Sequence, residues 1–139
     1  MIRSATYSDV PAMVAWGRQF HAMAPHNPMG EYDPEPVARM LRFMIDSPQA
    51  IVLTNGYGAI GGTFAPVYFN PAKWMLDENF WWASKDGMSL LDAAIEEGRT
   101  WGASFLMLST LENSKSHAIH RMLARKGFSL LERRYLKEL

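Results

Sequence analysis

The sequence predicts an α/β fold in which helices pack on one central sheet. Three observations carry this. Apolar residues recur at helical spacing in four segments that alternate with short runs of strand-forming residues. Asn55 and Gly56, set between two apolar runs, form the strongest hairpin signal in the chain and make the flanking strands antiparallel neighbours. Farther on, a helix-length segment joins the strand near Trp82 to the strand near Phe105, and a crossover of that kind permits parallel pairing.

Taken in order, Ser8 or Asp9 can cap a first helix with Pro11 in its first turn. Val10, Met13, Val14, Gly17, Phe20 and His21 then keep helical spacing to about Met23. After a turn-rich loop through Gly30, residues 34–45 read as a second helix with Val37, Met40, Leu41 and Met44 on one face. Residues 50–54 form a short strand, and the hairpin returns through residues 59–65. Gly61 and Gly62 inside that strand predict a bulge or close backbone approach, while Pro66 and Pro71 confine the next segment to an edge or loop.

In the second half, Leu91, Ala94, Ile95, Gly98 and Trp101 form the apolar stripe of a helix that Gly102 ends. The run Phe105, Leu106, Met107 and Leu108 suits a strand covered on both faces. A last helix turns Ala118, Ile119, Met122 and Leu123 inward and closes on Gly127, and residues 128–136 are expected as a final strand.

Composition bounds the function. A chain of 139 residues, 48% hydrophobic and 20% charged, suits one domain spanning residues 1–139. The 14 basic residues balance the 14 acidic ones, so no net field draws in nucleic acid or an anionic membrane. With no cysteine there is no disulfide, thiolate metal site or cysteine nucleophile. The opening residues lead into a strand with no long apolar run, which favours a soluble, cytoplasmic protein.

The order from Glu78 to Phe128 carries a family resemblance. Phe80, Trp81, Trp82 and Ala83 in a strand are followed by a turn with Asp86 and Gly87, the helix 88–101, the strand 104–110 and the helix 116–126. The segment closes on Arg125, Lys126, Gly127 and Phe128. This order resembles the acetyl-CoA half of the GNAT family, the Gcn5-related N-acetyltransferases. The resemblance extends forward to residues 2–6 and to Ser8, Asp9, Val10 and Pro11, which are similar to the family's opening strand and first helix. A Glu followed by Phe, Trp and Trp is similar to small members carried by bacteriophages.

The resemblance implies a mixed, mostly antiparallel sheet with helices on both faces and a splayed parallel strand pair. It implies acetyl-CoA as acyl donor, with its phosphates at the start of the helix after Gly87, where unpaired amides and the helix dipole attract anions. Two alignments of the turn stay open, one using Ser84, Gly87 and Ser89, the other placing Lys85 where the family has its earlier glycine. Lys85, Gly87, Met88 and Ser89 are therefore cofactor candidates, as are Trp82 and Ala83 on the strand edge that receives the pantetheine arm. Asn113 or Ser116 would bond that arm.

Glu78 falls where the family places a carboxylate base. The family's tyrosine acid is replaced by Leu123, so no strong acid is expected. His120, the nearest titratable group, is expected to face solvent together with His117, and no metal site is expected. The acceptor amine, small molecule or protein, is expected beside the first two helices, with Trp16, Phe20, Tyr32 and Trp74 as its apolar wall. The alternative is a degenerate binding or assembly module. Neither reading opposes a homodimer.

Overall fold

The computed structural model describes residues 1–24, 27–112 and 116–139. Its elements are β1 (Arg3–Ser4), α1 (Val10–Met23), α2 (Pro34–Asp46), β2 (Ala50–Thr54), β3 (Gly58–Val67), β4 (Asn70–Ala83), α3 (Gly87–Trp101), β5 (Phe105–Met107) and α4 (Ser116–Arg125). The strands form one sheet in chain order, antiparallel from β1 to β4 and parallel between β4 and β5.

Strand periodicity sorts the core onto two faces. Val52 and Ala59 join Val10 and Met13 of α1 and Leu41 and Met44 of α2. Their neighbours Leu53 and Ile60 point the other way, into Leu90, Leu91 and Ala94 of α3 and Leu123 of α4. The expected mixed sheet with helices on both faces is thus the observed one.

Local chemistry explains most boundaries. Asp33 caps α2 by accepting from the Glu35 amide at 3.2 Å. Gly102 ends α3 at φ 102°, where a left-handed residue lets its own amide and that of Ala103 reach the Gly98 carbonyl at 3.2 and 2.9 Å. Gly127 closes α4 similarly, with Phe128 donating to Leu123 at 3.0 Å. Asp9 stands at the start of α1, but its carboxylate caps nothing there. It takes both Arg3 guanidinium nitrogens at 2.8 Å and the Thr6 amide at 2.8 Å, tying β1 to the turn that leads into α1.

Three expectations are corrected. β4 starts at Asn70, well before the strand expected at Phe80, and includes Pro71. Proline is tolerated because the β3–β4 register passes from Pro66↔Trp74 to Val67↔Asn70, leaving residues 71–73 without β3 partners. β5 is a short edge strand rather than one covered on both faces; Phe105 is 54% exposed. Residues 128–136 form no strand, and Leu130, Leu131, Tyr135 and Leu136 are exposed. Their apolar positions, interrupted by Arg133 and Arg134, lack the strict alternation that would seat one face on a sheet.

The predicted glycine irregularity is a β-bulge. Gly61 pairs with Phe80, but Gly62 pairs with Glu78, so Asn79 is an extra residue on β4. Gly61 is required because a Cβ there would lie 2.3 Å from Phe80 Cζ. The extra residue reverses the side-chain parity of β4. Leu76 packs on α3 at Gly98, and so does Trp81 in the α3 core, an odd spacing that no regular strand allows.

Candidate functional site

The sheet opens directly beside this bulge. β4 and β5 pair only at Met75↔Phe105, Leu76↔Leu106 and Asp77↔Met107. β4 then continues to Ala83 with β3 as its sole strand partner among the described residues, so the other edge of residues 78–83 is left without a strand beside it there. This is the expected splayed pair.

Glu78 sits at the apex of the opening. Its Oε2 accepts the Ser109 amide at 3.1 Å, the first contact across the gap beyond the last β4–β5 pair. Burial of the carboxyl pushes its pKa up to about 7, the Ser109 amide works against that rise, and neighbouring Asp77 adds to it. Asp77 is itself raised by burial, offset by Arg134. A carboxylate poised near neutrality can take a proton from an ammonium group and release it again. Ser109 had no motif to mark it, apart from ending the apolar run Phe105, Leu106, Met107 and Leu108.

The turn between β4 and α3 forms the far end of the opening. Asp86 is left-handed at φ 55° and makes no side-chain cap, so the first amides of α3 are not taken by its carboxylate. Ser84 donates through its amide and hydroxyl to the Tyr57 carbonyl at 3.0 and 3.1 Å. Asn55 donates to the Lys85 carbonyl at 2.9 Å, and the Lys85 ammonium lies 5.1 Å from the Tyr57 ring centre. The β2–β3 loop thereby fixes the turn. Trp81 Nε1 donates to the Gly87 carbonyl at 3.0 Å, Met88 packs in the α3 core, and the Ser89 amide closes the first turn on Asp86 at 3.2 Å. These features fit an extended ligand with anionic phosphates: an unpaired strand edge leads to uncapped helix amides, with Lys85 exposed beside them.

On the face opposite α3, Trp16 of α1 stacks on Trp82 at 6.0 Å between ring centres, and Phe80 packs nearby in the same core. Phe20 is half-buried on α1. Tyr32 spends its hydroxyl on the Val14 carbonyl at 2.8 Å, with its ring 5.8 Å from that of His21. Trp74 does not join them. It lies on the α3 face, 5.1 Å from Trp101, which stacks on Phe64 at 4.1 Å. The bulge explains the separation, since Trp74 and Trp82 lie on opposite sides of the parity change.

Ser116 is buried at the start of α4, and Asn113 lies outside the described residues. Leu123 is buried in the α3 core. His117 and His120 are both exposed, as expected, and His120 Nε2 also lies 3.3 Å from Thr110 Oγ1 and 3.9 Å from Glu112 Oε1. Among the described residues no group of three acidic or histidine side chains is arranged to hold a metal. Neither a cavity of about 220 Å³ beside β2 nor one of about 440 Å³ between α1 and α2 is lined by Glu78.

No family model and no curated protein sequence matches the chain. Solved structures do. A transcriptional regulator from Bacillus halodurans superposes with a TM-score of 0.75 at 19% identity, covering 100% of this chain and 99% of its own. A protein assigned as an acetyltransferase from Agrobacterium tumefaciens gives 0.74 at 15% identity, with 100% and 99% covered. One from Arthrobacter, likewise assigned, gives 0.74 at 18%, with 100% and 96% covered. The chain shares its fold with these structures, and that fold is the expected GNAT-like one. Among the described residues, no helix is long and apolar enough to cross a membrane.

Proposed function

We propose that this protein is an N-acetyltransferase that passes the acetyl group of acetyl-CoA directly to an amine, with Glu78 as the base. The carrying observation is the carboxylate at the apex of the β4–β5 opening, half-buried and held by one backbone amide. The unpaired edge of residues 78–83 receives the pantetheine arm by strand-like pairing, with Trp82 and Ala83 nearest the turn. The amides of Gly87 and Met88, with Lys85, Ser84 and Ser89 around them, hold the phosphates, and Ser116 stands on the α4 side. Trp16 and Phe20 wall the acceptor's side, and Tyr32 fixes the loop that borders it.

Acetyl-CoA, when bound, supplies an activated carbonyl and a thiolate leaving group. Glu78 removes one proton from the acceptor ammonium, freeing the nitrogen lone pair that forms the new C–N bond as the C–S bond breaks. As the bond to sulfur breaks, the new amide nitrogen sheds its second proton and water carries it to the thiolate, a weak base, so Leu123 need not be replaced by an acid. Glu78 then returns its proton to solvent.

Calorimetric titration with acetyl-CoA tests the reading. Saturable binding that Gly87→Val weakens at least about tenfold is the expected result. Absence of binding by the folded protein would favour the degenerate, non-catalytic module instead.

A further inference from the structure

The chain beyond β5 bears on Glu78, yet no strand supports it. β5 ends at Met107 and β4 has already diverged, so residues 108–112 run without a sheet partner. Leu108 packs in the α3 core, the Ser109 amide reaches Glu78, and Thr110 Oγ1 meets His120 Nε2 at 3.3 Å. Glu112 Oε1, farther along the segment, lies 3.9 Å from the same imidazole nitrogen. His120 stands on α4, which is anchored independently by Leu123 in the core and by Lys126, whose Nζ lies 2.5 Å from Asp92 Oδ1 on α3. One side of this segment is therefore the catalytic carboxylate, and the other is an imidazole on a fixed helix.

We infer that His120 is a positioning residue for Glu78: through Thr110 it fixes the strand end whose Ser109 amide holds the carboxylate. The inference rests on the reading of Glu78 as the base. A carboxylate oxygen gains from an N–H only when that donor is aimed, and hydrogen-bond strength falls steeply with misalignment. Freed from His120, residues 109 and 110 keep, among the described residues, the bond to Glu78 itself, and the amide no longer arrives pre-aimed. The proton affinity of Glu78 then rises further. Asp77 is the charged neighbour acting on Glu78, and Glu112 is the one facing His120.

The test is a carboxyl-carbon NMR titration of Glu78 in the ligand-free protein, compared among the parent, Thr110→Val, His120→Ala and His120→Gln, with folding checked in the same spectra. The expected midpoint moves up by roughly half a unit to one unit in Thr110→Val and His120→Ala. In His120→Gln, whose amide can still meet Thr110, it stays near the parent value. An unmoved or lowered midpoint in both Thr110→Val and His120→Ala overturns the inference while leaving Glu78 as base. A parent midpoint in the ordinary carboxylate range would remove the reading of Glu78 and the inference together. Loss of turnover in His120→Ala that Gln fails to restore, with the Glu78 midpoint unchanged, would make His120 a direct proton donor and also refute a positioning role.

Discussion

The two halves of the sheet are built to opposite rules. From β1 to β4 every strand is paired, and the β3–β4 hairpin runs from Val67↔Asn70 to Gly58↔Ala83. From β4 to β5 pairing lasts three positions and stops. In the closed half most of each strand is paired along the ladder, residues 71–73 excepted. In the open half the edge of residues 78–83 that faces β5 has no strand partner among the described residues, and the Glu78 carboxyl at the apex is partly desolvated. The single extra residue at Asn79 is where one rule gives way to the other.

The sharpest way to break this comparison is to neutralise the apex. Glu78→Gln should lower turnover about a hundredfold or more near neutral pH, recovering as pH rises and the free amine becomes available. The same change should strengthen the fold. The parent retains a proton on Glu78 between its ordinary pKa of 4.5 and about 7, so parent stability falls as pH rises through that window. Above it, Glu78→Gln should be more stable by up to ~3 kcal/mol, and below about pH 4 the two should not differ. Urea melts in acid and at mildly alkaline pH check both signs. A variant that loses activity while gaining stability would place the strain in the open half.

Next in size is the junction. Gly61→Val forces a side chain into the space of the Phe80 ring and should cost roughly 1–3 kcal/mol, with turnover lost as the bulge shifts Glu78. Denaturation midpoints together with turnover test this; lost stability with unchanged turnover would disconnect the bulge from the site. Smaller effects belong to the far end of the opening. Gly87→Val should weaken acetyl-CoA at least tenfold by blocking backbone approach, whereas Lys85→Ala, losing one exposed cation, should weaken it only a few-fold. A Cβ at Gly87 would meet Ala83 at an ordinary 3.5 Å, so the fold itself tolerates a small side chain there. Equal, unchanged affinity in both variants would put the phosphates elsewhere.

The same division governs what could be read from the chain. In the closed half, local signals suffice: β2 lies at Ala50–Thr54 as expected, the hairpin turns at Asn55 and Gly56, and the Gly61–Gly62 irregularity is real. Helix limits followed from capping glycines and the apolar stripe at Gly102 and Gly127. In the open half, residue identity was legible but environment was not. Glu78 could be named, yet its desolvation and its bond to Ser109 arise only when two strands distant in sequence meet and part. Trp74 shares its residue type with Trp16 and Trp82, but a one-residue bulge places it on the other face. The apolar tail 128–136 suggested a strand by composition, although no partner pairs with it among the described residues.

The claim that the open half of the sheet is a base-assisted transfer site is tested most directly by thiol release from acetyl-CoA, followed across pH with a panel of primary amines and with peptides carrying a free amino terminus or lysine. For an amine that supports release, the parent should show a limb in kcat/KM rising with a midpoint near the Glu78 pKa of about 7. Glu78→Gln should lack that limb and approach the parent only where the amine itself is deprotonated. Amine-dependent release that is equal in the two proteins at every pH would contradict the claim.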